Sequence, residues 1–220
     1  MAAARIESEK REAARAAAAL VADGQLVGLG TGSTVAYLLP ALAERRLRVR
    51  CVATSPRTEL RARELGLEVV PFSGIERLDI AIDGADQVDA DGWLVKGGGG
   101  AHTREKIVAA AAERFYVIVS RDKLVEALHP PVPLELVTFG AASTLARLAH
   151  AAPRDVPPSP DGGLIADYLG PFDDPALLAR RLADTPGVVE HGLFAPEMVS
   201  EVLFGDRDGV HRLEVSGQLR

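Results

Sequence analysis

Two hydrophobic periods alternate along this chain. Short apolar runs at 26–30, 49–53, 67–70, 78–82, 93–95 and 115–119 read as buried strands. Between them, residues 7–22, 35–47, 57–65 and 103–113 carry apolar and alanine positions at helical spacing, and Gly24 and Gly66 stop two of these helices. Strands alternating with helices predict an α/β fold with a doubly wound, mostly parallel, Rossmann-like sheet. The pattern changes after His129, where Pro130, Pro131 and Pro133 interrupt it. Strands are expected at 134–138, 164–168 and 188–194, and helices at 141–150 and 174–183. The stretch 152–163, rich in Pro, Gly and Asp, reads as loop. That order predicts a second, smaller α+β domain of ferredoxin-like type. Residues 199–204 and 210–215 predict a hairpin around Asp206-Arg207-Asp208-Gly209. The expected division is 1–129 plus 196–220 for the Rossmann-like unit and 130–195 for the small one.

Composition narrows the function classes. The 220 residues are 47% hydrophobic with a net charge of −6. A single globular chain with one large or two modest domains fits. The acidic balance and the lack of a basic block argue against nucleic acid as a partner. No apolar run approaches the roughly 20 residues of a membrane span, and the charged N-terminus lacks the apolar stretch of a signal peptide. Cys51 is the only cysteine, so no intrachain disulfide and no cysteine metal cluster can form, and it is expected to be buried and inert. A reducing cytoplasm is the expected compartment.

The densest chemistry lies in Lys96-Gly97-Gly98-Gly99-Gly100-Ala101-His102-Thr103-Arg104-Glu105-Lys106. Four consecutive glycines let the backbone approach a ligand closely at an entropic cost. A glycine loop feeding a helix N-terminus aims N–H groups and a positive dipole end at one point, which suits an anion. Lys96 and Glu105 bracket it with a cation and a carboxylate. Gly28-Leu29-Gly30-Thr31-Gly32-Ser33-Thr34 misses the dinucleotide fingerprint by one residue and has no P-loop lysine, yet still makes a phosphate nest between strand and helix. Its plain alternative is an ordinary turn with Ser or Thr as N-cap. In Asp83-Gly84-Ala85-Asp86-Gln87-Val88-Asp89 the spacing fails a calcium loop. Asp89 and Asp91 read as a solvated turn. Asp83 and Asp86, at a strand end, can shuttle protons between oxygens. The Thr31 turn, Asp83 and the Lys96 loop each follow a strand and are expected on one rim of the sheet. The five histidines lack ligand spacing, so no metal is expected, and His102 reads as a surface residue.

Taken together, Gly28 to Thr34, Asp83-Gly84-Ala85-Asp86, Lys96 to Gly100 and Thr103-Arg104-Glu105-Lys106-Ile107 resemble the signature blocks of ribose-5-phosphate isomerase, type A. The resemblance extends to Thr54-Ser55, to Lys123 and to Pro186 to Phe194, and covers nearly the whole chain. It implies interconversion of ribose 5-phosphate and ribulose 5-phosphate through an enediol(ate), with no cofactor and no metal. It casts Glu105 as the base between C1 and C2. Asp83, with Asp86 beside it, would open the sugar ring and move hydroxyl protons. Lys96 and the N–H groups of Gly97, Gly98 and Gly99 would stabilise the enediolate. Ser33, Thr34, Lys10 and Lys123 would hold the phosphate, with Gly32 in the same turn and Thr31 near the sugar. It also implies a homodimer, with the small domain serving assembly.

Two departures stand out. Gln87 replaces the family's usual Glu, and Ser159-Pro160-Asp161-Gly162-Gly163 replaces a Thr-Asp-Asn-Gly-Asn turn in a shortened second domain. The competing reading is a sugar-phosphate sensor of the same fold that binds without turnover. Such regulators carry a DNA-binding helix-turn-helix ahead of the fold, and the residues before Gly28 leave no room for one. A deaminase or a CoA-transferase of related fold would need a catalytic histidine motif or a different glutamate block.

Overall fold

The computed structural model describes residues 2–215. An alanine-rich helix, α1 (Ala2–Leu20), leads through Gly24, at φ 83°, into β1 (Leu26–Leu29). Next come α2 (Val35–Glu44), β2 (Arg50–Ala53), α3 (Pro56–Glu64), β3 (Glu68–Val69) and β4 (Ile80–Asp83). Two short strands, β5 (Gln87–Val88) and β6 (Leu94–Val95), precede α4 (His102–Ala111) and β7 (Phe115–Ser120). After a 3₁₀ turn at Arg121–Lys123 follow β8 (Val132–Leu136), α5 (Ala141–Leu148), β9 (Ala151–Pro153), β10 (Leu164–Tyr168), α6 (Pro175–Ala183) and β11 (Val188–His191). Then β12 (Leu193–Phe194) leads to the hairpin β13 (Glu201–Asp206) and β14 (Gly209–Glu214).

The large sheet has the order β14-β13-β7-β4-β1-β2-β3. Its neighbours pair in parallel except β14, which runs antiparallel to β13 at one edge. Helices α1 and α2 cover one face. Ala13, Ala14 and Ala17 of α1 and Leu38, Leu39 and Leu42 of α2 pack there with Val27, Ile80, Ile82 and Ile118. On the other face Val108 and Ala109 of α4 pack with Val88, Leu94, Phe115 and Phe194. Fully burying an Ile or Leu side chain contributes roughly 1.5–3 kcal/mol, so the apolar strand runs account for the frame. Asp83 continues the same buried strand and is only 3% exposed. A buried carboxylate must be compensated locally, and its partners define the site below.

From β1 the chain winds outward to β2 and β3, then crosses back to β4 on the other side of β1. The strand ends of β1 and β4 therefore flank the point where the winding reverses, where open α/β sheets form their crevice.

Residues 132–191 build a second sheet, β11-β8-β10-β9, with all pairs antiparallel. With α5 and α6 the order is β-α-β-β-α-β, the split arrangement of ferredoxin-like units. Leu134, Leu136, Tyr168, Leu178 and Leu182 form its core. The stretch read as loop from 152 onward thus contains an edge strand, β9, whose three residues end at Pro153. That proline sits where an edge tolerates a missing N–H. The single strand expected over 188–194 is broken at Gly192. A Cβ there would lie 2.1 Å from the Lys96 carbonyl oxygen, and the chain passes here from β11 to a three-stranded sheet, β12-β6-β5. The Lys96 N–H donates to the Gly192 oxygen at 2.8 Å, which ties the start of the glycine loop to that crossing. Residue 1 and residues 216–220, assigned to the first unit from the sequence, lie outside the described residues.

Candidate active site

The turn after β1, the end of β4, the loop after β6, the first turn of α4 and the 3₁₀ turn after β7 meet around one cavity of about 130 Å³. Its lining includes Thr31, Gly32, Ser33, Thr34, Asp86, Lys96, Gly97, Gly98, Gly99, Glu105 and Lys123. The rim expected from the strand ends therefore exists, and Asp83 lies beneath it.

Close approach of β1 and β4 fixes Asp83. A Cβ on Gly30 would fall 1.9 Å from the Asp83 carboxyl carbon, so only glycine fits. Asp83 Oδ1 accepts the N–H of Thr31 at 3.0 Å and of Gly84 at 2.7 Å. Lys96 Nζ sits 2.9 Å from Asp83 Oδ2 and 3.0 Å from Glu105 Oε2, and donates to the Gly84 oxygen at 2.6 Å. Lys96 and Glu105 are 2% and 5% exposed. The 3.0 Å contact makes Lys96 the charged partner of Glu105 Oε2, a buried oxygen whose pairing is imperfectly aligned. Among the described residues, His102 Nδ1 is buried with no hydrogen-bond partner.

The charges shift one another. Burial pushes Glu105 up from 4.5 to about 8; Asp83 adds to the rise and Lys96 opposes it. Burial also raises Asp83, against Lys96 and the two N–H donors. Burial alone would lower Lys96, but Asp83 and Glu105 outweigh it and hold the ammonium charged. Two carboxylates around one cation leave one acid readily protonated, a balance suited to proton transfer.

In the turn after β1, Thr34 has helical φ and ψ and makes no side-chain cap bond, unlike Ser55 and Asp174, which cap α3 and α6. The Thr34 hydroxyl is thus not consumed as an N-cap. Thr31 Oγ1 is 2.8 Å from Thr54 Oγ1, and Thr58 Oγ1 donates to the Gly30 oxygen at 2.9 Å, which braces the turn. Lys123 reaches the cavity from across the sheet, 3.8 Å from Asp122. Asp86 faces it and accepts the Gly98 N–H at 2.8 Å.

Lys10 is not among the lining residues. Its Nζ donates to Glu7 Oε1 at 2.8 Å, while Glu7 Oε2 accepts from Tyr37, so Glu7 holds it along α1. Gln87 lies off the cavity too. Its amide donates to the His129 oxygen at 2.8 Å and accepts the His129 N–H at 2.9 Å, a pairing that a carboxylate could not complete. Asp89 is not solvated. It is 8% exposed, and its Oδ1 accepts the N–H groups of Asp91 and Trp93 in a closed turn, while Asp91 is exposed. His102, expected at the surface, is fully buried under Gly97, because α4 is covered by the second sheet as well as the first. Burial lowers it to about 4, so it is neutral at neutral pH. Cys51 is buried as expected, and burial raises its thiol to about 12.

Comparison with known proteins gives a consistent result. A family model described as ribose 5-phosphate isomerase A (phosphoriboisomerase A) matches residues 50–209. Ribose-5-phosphate isomerase A of Gluconobacter oxydans is 45% identical over 93% of this chain and 96% of its own length. The crystal structure of ribose 5-phosphate isomerase A from Neisseria gonorrhoeae superposes with a TM-score of 0.91 at 30% identity, covering 95% of this chain and 97% of its own. A D-ribose-5-phosphate isomerase in complex with phospho-erythronic acid superposes with a TM-score of 0.89 at 34% identity, covering 95% and 99%.

Proposed function

The chain belongs to the ribose 5-phosphate isomerase A family, and from that premise we propose how its cleft works. It is an aldose–ketose isomerase that interconverts D-ribose 5-phosphate and D-ribulose 5-phosphate. The observation that carries the residue roles is the buried Asp83–Lys96–Glu105 cluster, two carboxylates around one ammonium, under a glycine loop.

Asp83, with Asp86 on the cavity wall, opens the furanose by moving a proton between ring and hydroxyl oxygens. Glu105 takes the proton from C2 of the open aldose. The C2–H electrons form the C1–C2 double bond, and the carbonyl electrons move onto O1. Lys96 and the N–H groups of Gly97 and Gly99 stabilise that charge, while the Gly98 N–H holds Asp86 on the wall. A proton passes from O2 to O1, and Glu105 returns its proton to C1, which leaves the ketone at C2. Ser33, Thr34 and the N–H groups of the turn with Gly32 take the phosphate at the start of α2, Lys123 supplies the cation, and Thr31 contacts the sugar. Phospho-erythronic acid, held by a relative, carries a phosphate and a carboxylate, the two anionic ends such a cavity accommodates. Lys10 joins the phosphate site only if its pair with Glu7 opens.

Incubation with ribose 5-phosphate in deuterated water tests the reading. Ketopentose phosphate should form, with solvent deuterium appearing on carbon. Tight binding with neither product nor exchange would support the sensor instead.

We also propose a cytoplasmic homodimer that uses the unit at 130–195. Phe139, next to α5, is 91% exposed, a large apolar side chain that assembly would cover. A monomeric mass by light scattering would refute the dimer. Among the described residues, no helix is long and apolar enough to cross a membrane.

A further inference from the structure

The second sheet reaches the glycine loop from behind through Arg154, one residue past β9. Its Nε and Nη2 bond the two oxygens of Asp167 at 2.6 and 2.5 Å. Its Nη1 donates to the oxygens of both Gly97 and Gly98 at 3.1 Å. Only a planar fork with five donors can make these four bonds at once. A trans peptide sets its C=O and N–H on opposite sides. The Gly97 oxygen shares its peptide with the Gly98 N–H, and the Gly98 oxygen shares its peptide with the Gly99 N–H. Holding both carbonyls toward Arg154 therefore turns both N–H groups away from it. On that opposite side the Gly98 N–H meets Asp86 Oδ2, a group of the cavity wall, at 2.8 Å.

Glycine has no intrinsic preference that would keep this orientation; the Gly97 oxygen also accepts the Gly100 N–H at 3.0 Å within the turn, so the Gly98 carbonyl is the one that depends on Arg154 most. The same sheet secures α4 beside the loop: Glu135 accepts from Thr103, and Asp161 pairs with Arg104 at 2.7 Å.

We propose that Arg154, fixed by Asp167, is a positioning residue that orients the Gly97 and Gly98 peptides so that the Gly99 amide faces the oxygen gaining charge while the Gly98 amide holds Asp86 on the cavity wall. The proposal rests on the isomerase reading above. It also gives the second sheet a part in the chemistry beyond assembly.

Two variants and two readouts test it. Arg154→Lys keeps a cation opposite Asp167 but cannot also reach both carbonyls. Arg154→Ala removes the fork and leaves room for added guanidinium. In both, kcat should fall about tenfold or more, with KM changed less than about threefold, because oriented amides act on the transition state. Millimolar guanidinium should restore part of kcat to Arg154→Ala and none to Arg154→Lys. Independently of turnover, amide hydrogen exchange over residues 96–101 should quicken about tenfold in the folded variants. Should Arg154→Ala fail to fold, Arg154→Lys decides. A folded variant with kcat within twofold of wild type, a loss confined to KM, or unchanged exchange would overturn the proposal. If wild type itself does not isomerise, the functional reading fails, while the exchange result still decides whether Arg154 holds the loop.

Discussion

Replacing Glu105 by glutamine should cost activity and raise stability at alkaline pH. The side chain keeps its size but loses the buried basic carboxylate that pairs with Lys96. A general base is worth about 10²–10⁴ in rate, or roughly 3–5 kcal/mol of transition-state stabilisation. KM should stay close to wild type, because Ser33, Thr34 and Lys123 hold the other end of the substrate. Stability runs the opposite way. The folded-state pKa of Glu105 is raised from 4.5 to about 8, so the native protein holds this proton more tightly than the unfolded chain. The penalty is absent below 4.5, grows as pH rises, and is complete above about 8. At about 1.4 kcal/mol for each pH unit it reaches roughly 5 kcal/mol. Glutamine never ionises, but its presence leaves Lys96 with Asp83 alone, so the net gain is smaller than that. Thermal melts of both proteins at pH 5 and pH 9, beside steady-state kinetics, read both effects. The variant should melt higher than wild type at pH 9, and by a larger margin there than at pH 5. A variant that turns over normally, or one less stable at pH 9 than at pH 5 relative to wild type, would refute the reasoning.

The pH profile of kcat/KM should carry its acid limb near 8, because activity is lost as falling pH protonates Glu105; a limb at 4–5 would contradict the raised pKa. Lys123→Ala should raise KM about 10- to 150-fold, the equivalent of the roughly 1.5–3 kcal/mol of one charge-assisted contact; an unchanged KM refutes its role at the phosphate. Gly30→Ala places a methyl 1.9 Å from the Asp83 carboxyl carbon and should cut kcat about 10²-fold at a retained far-ultraviolet spectrum, since small displacements of reacting groups cost that much; wild-type turnover would show that Asp83 has room to move. Activity should survive EDTA, because Lys96 and the loop amides supply the positive charge; loss that a divalent ion restores would sink that account.

Much of this site was legible because short apolar runs announce strand ends, and the chemistry sits directly after them. Thr31 and Lys96 each follow such a run and Asp83 ends one, and the three meet, Asp83 accepting the Thr31 N–H and pairing with Lys96. What escaped was the second layer of support. No local pattern marks Arg154 as reaching 57 and 56 residues back to Gly97 and Gly98, because the contact depends on how two sheets pack. His102 was misplaced for a related reason: helix α4 is covered on two sides, so a polar residue in its first turn is enclosed. The strand β5 has two residues, too few for a period to declare itself. Lys10 is not among the residues lining the cavity, because Glu7 on its own helix holds it.

The position of β13 has a consequence for how the chain is made. It pairs in parallel with β7, yet residues 121–200, with the whole second sheet among them, separate the two in sequence. On the ribosome, β7 emerges with one edge open and stays so until that whole unit and β12 have followed. The helix α1 waits as well, because part of its seat is β13, where Gly205 lies against the Glu9 backbone. An unpaired strand edge is a template for wrong partners. The second sheet therefore stands between an exposed nascent edge and the strand that closes it, and the speed with which those residues fold sets how long the growing chain remains open to misassociation.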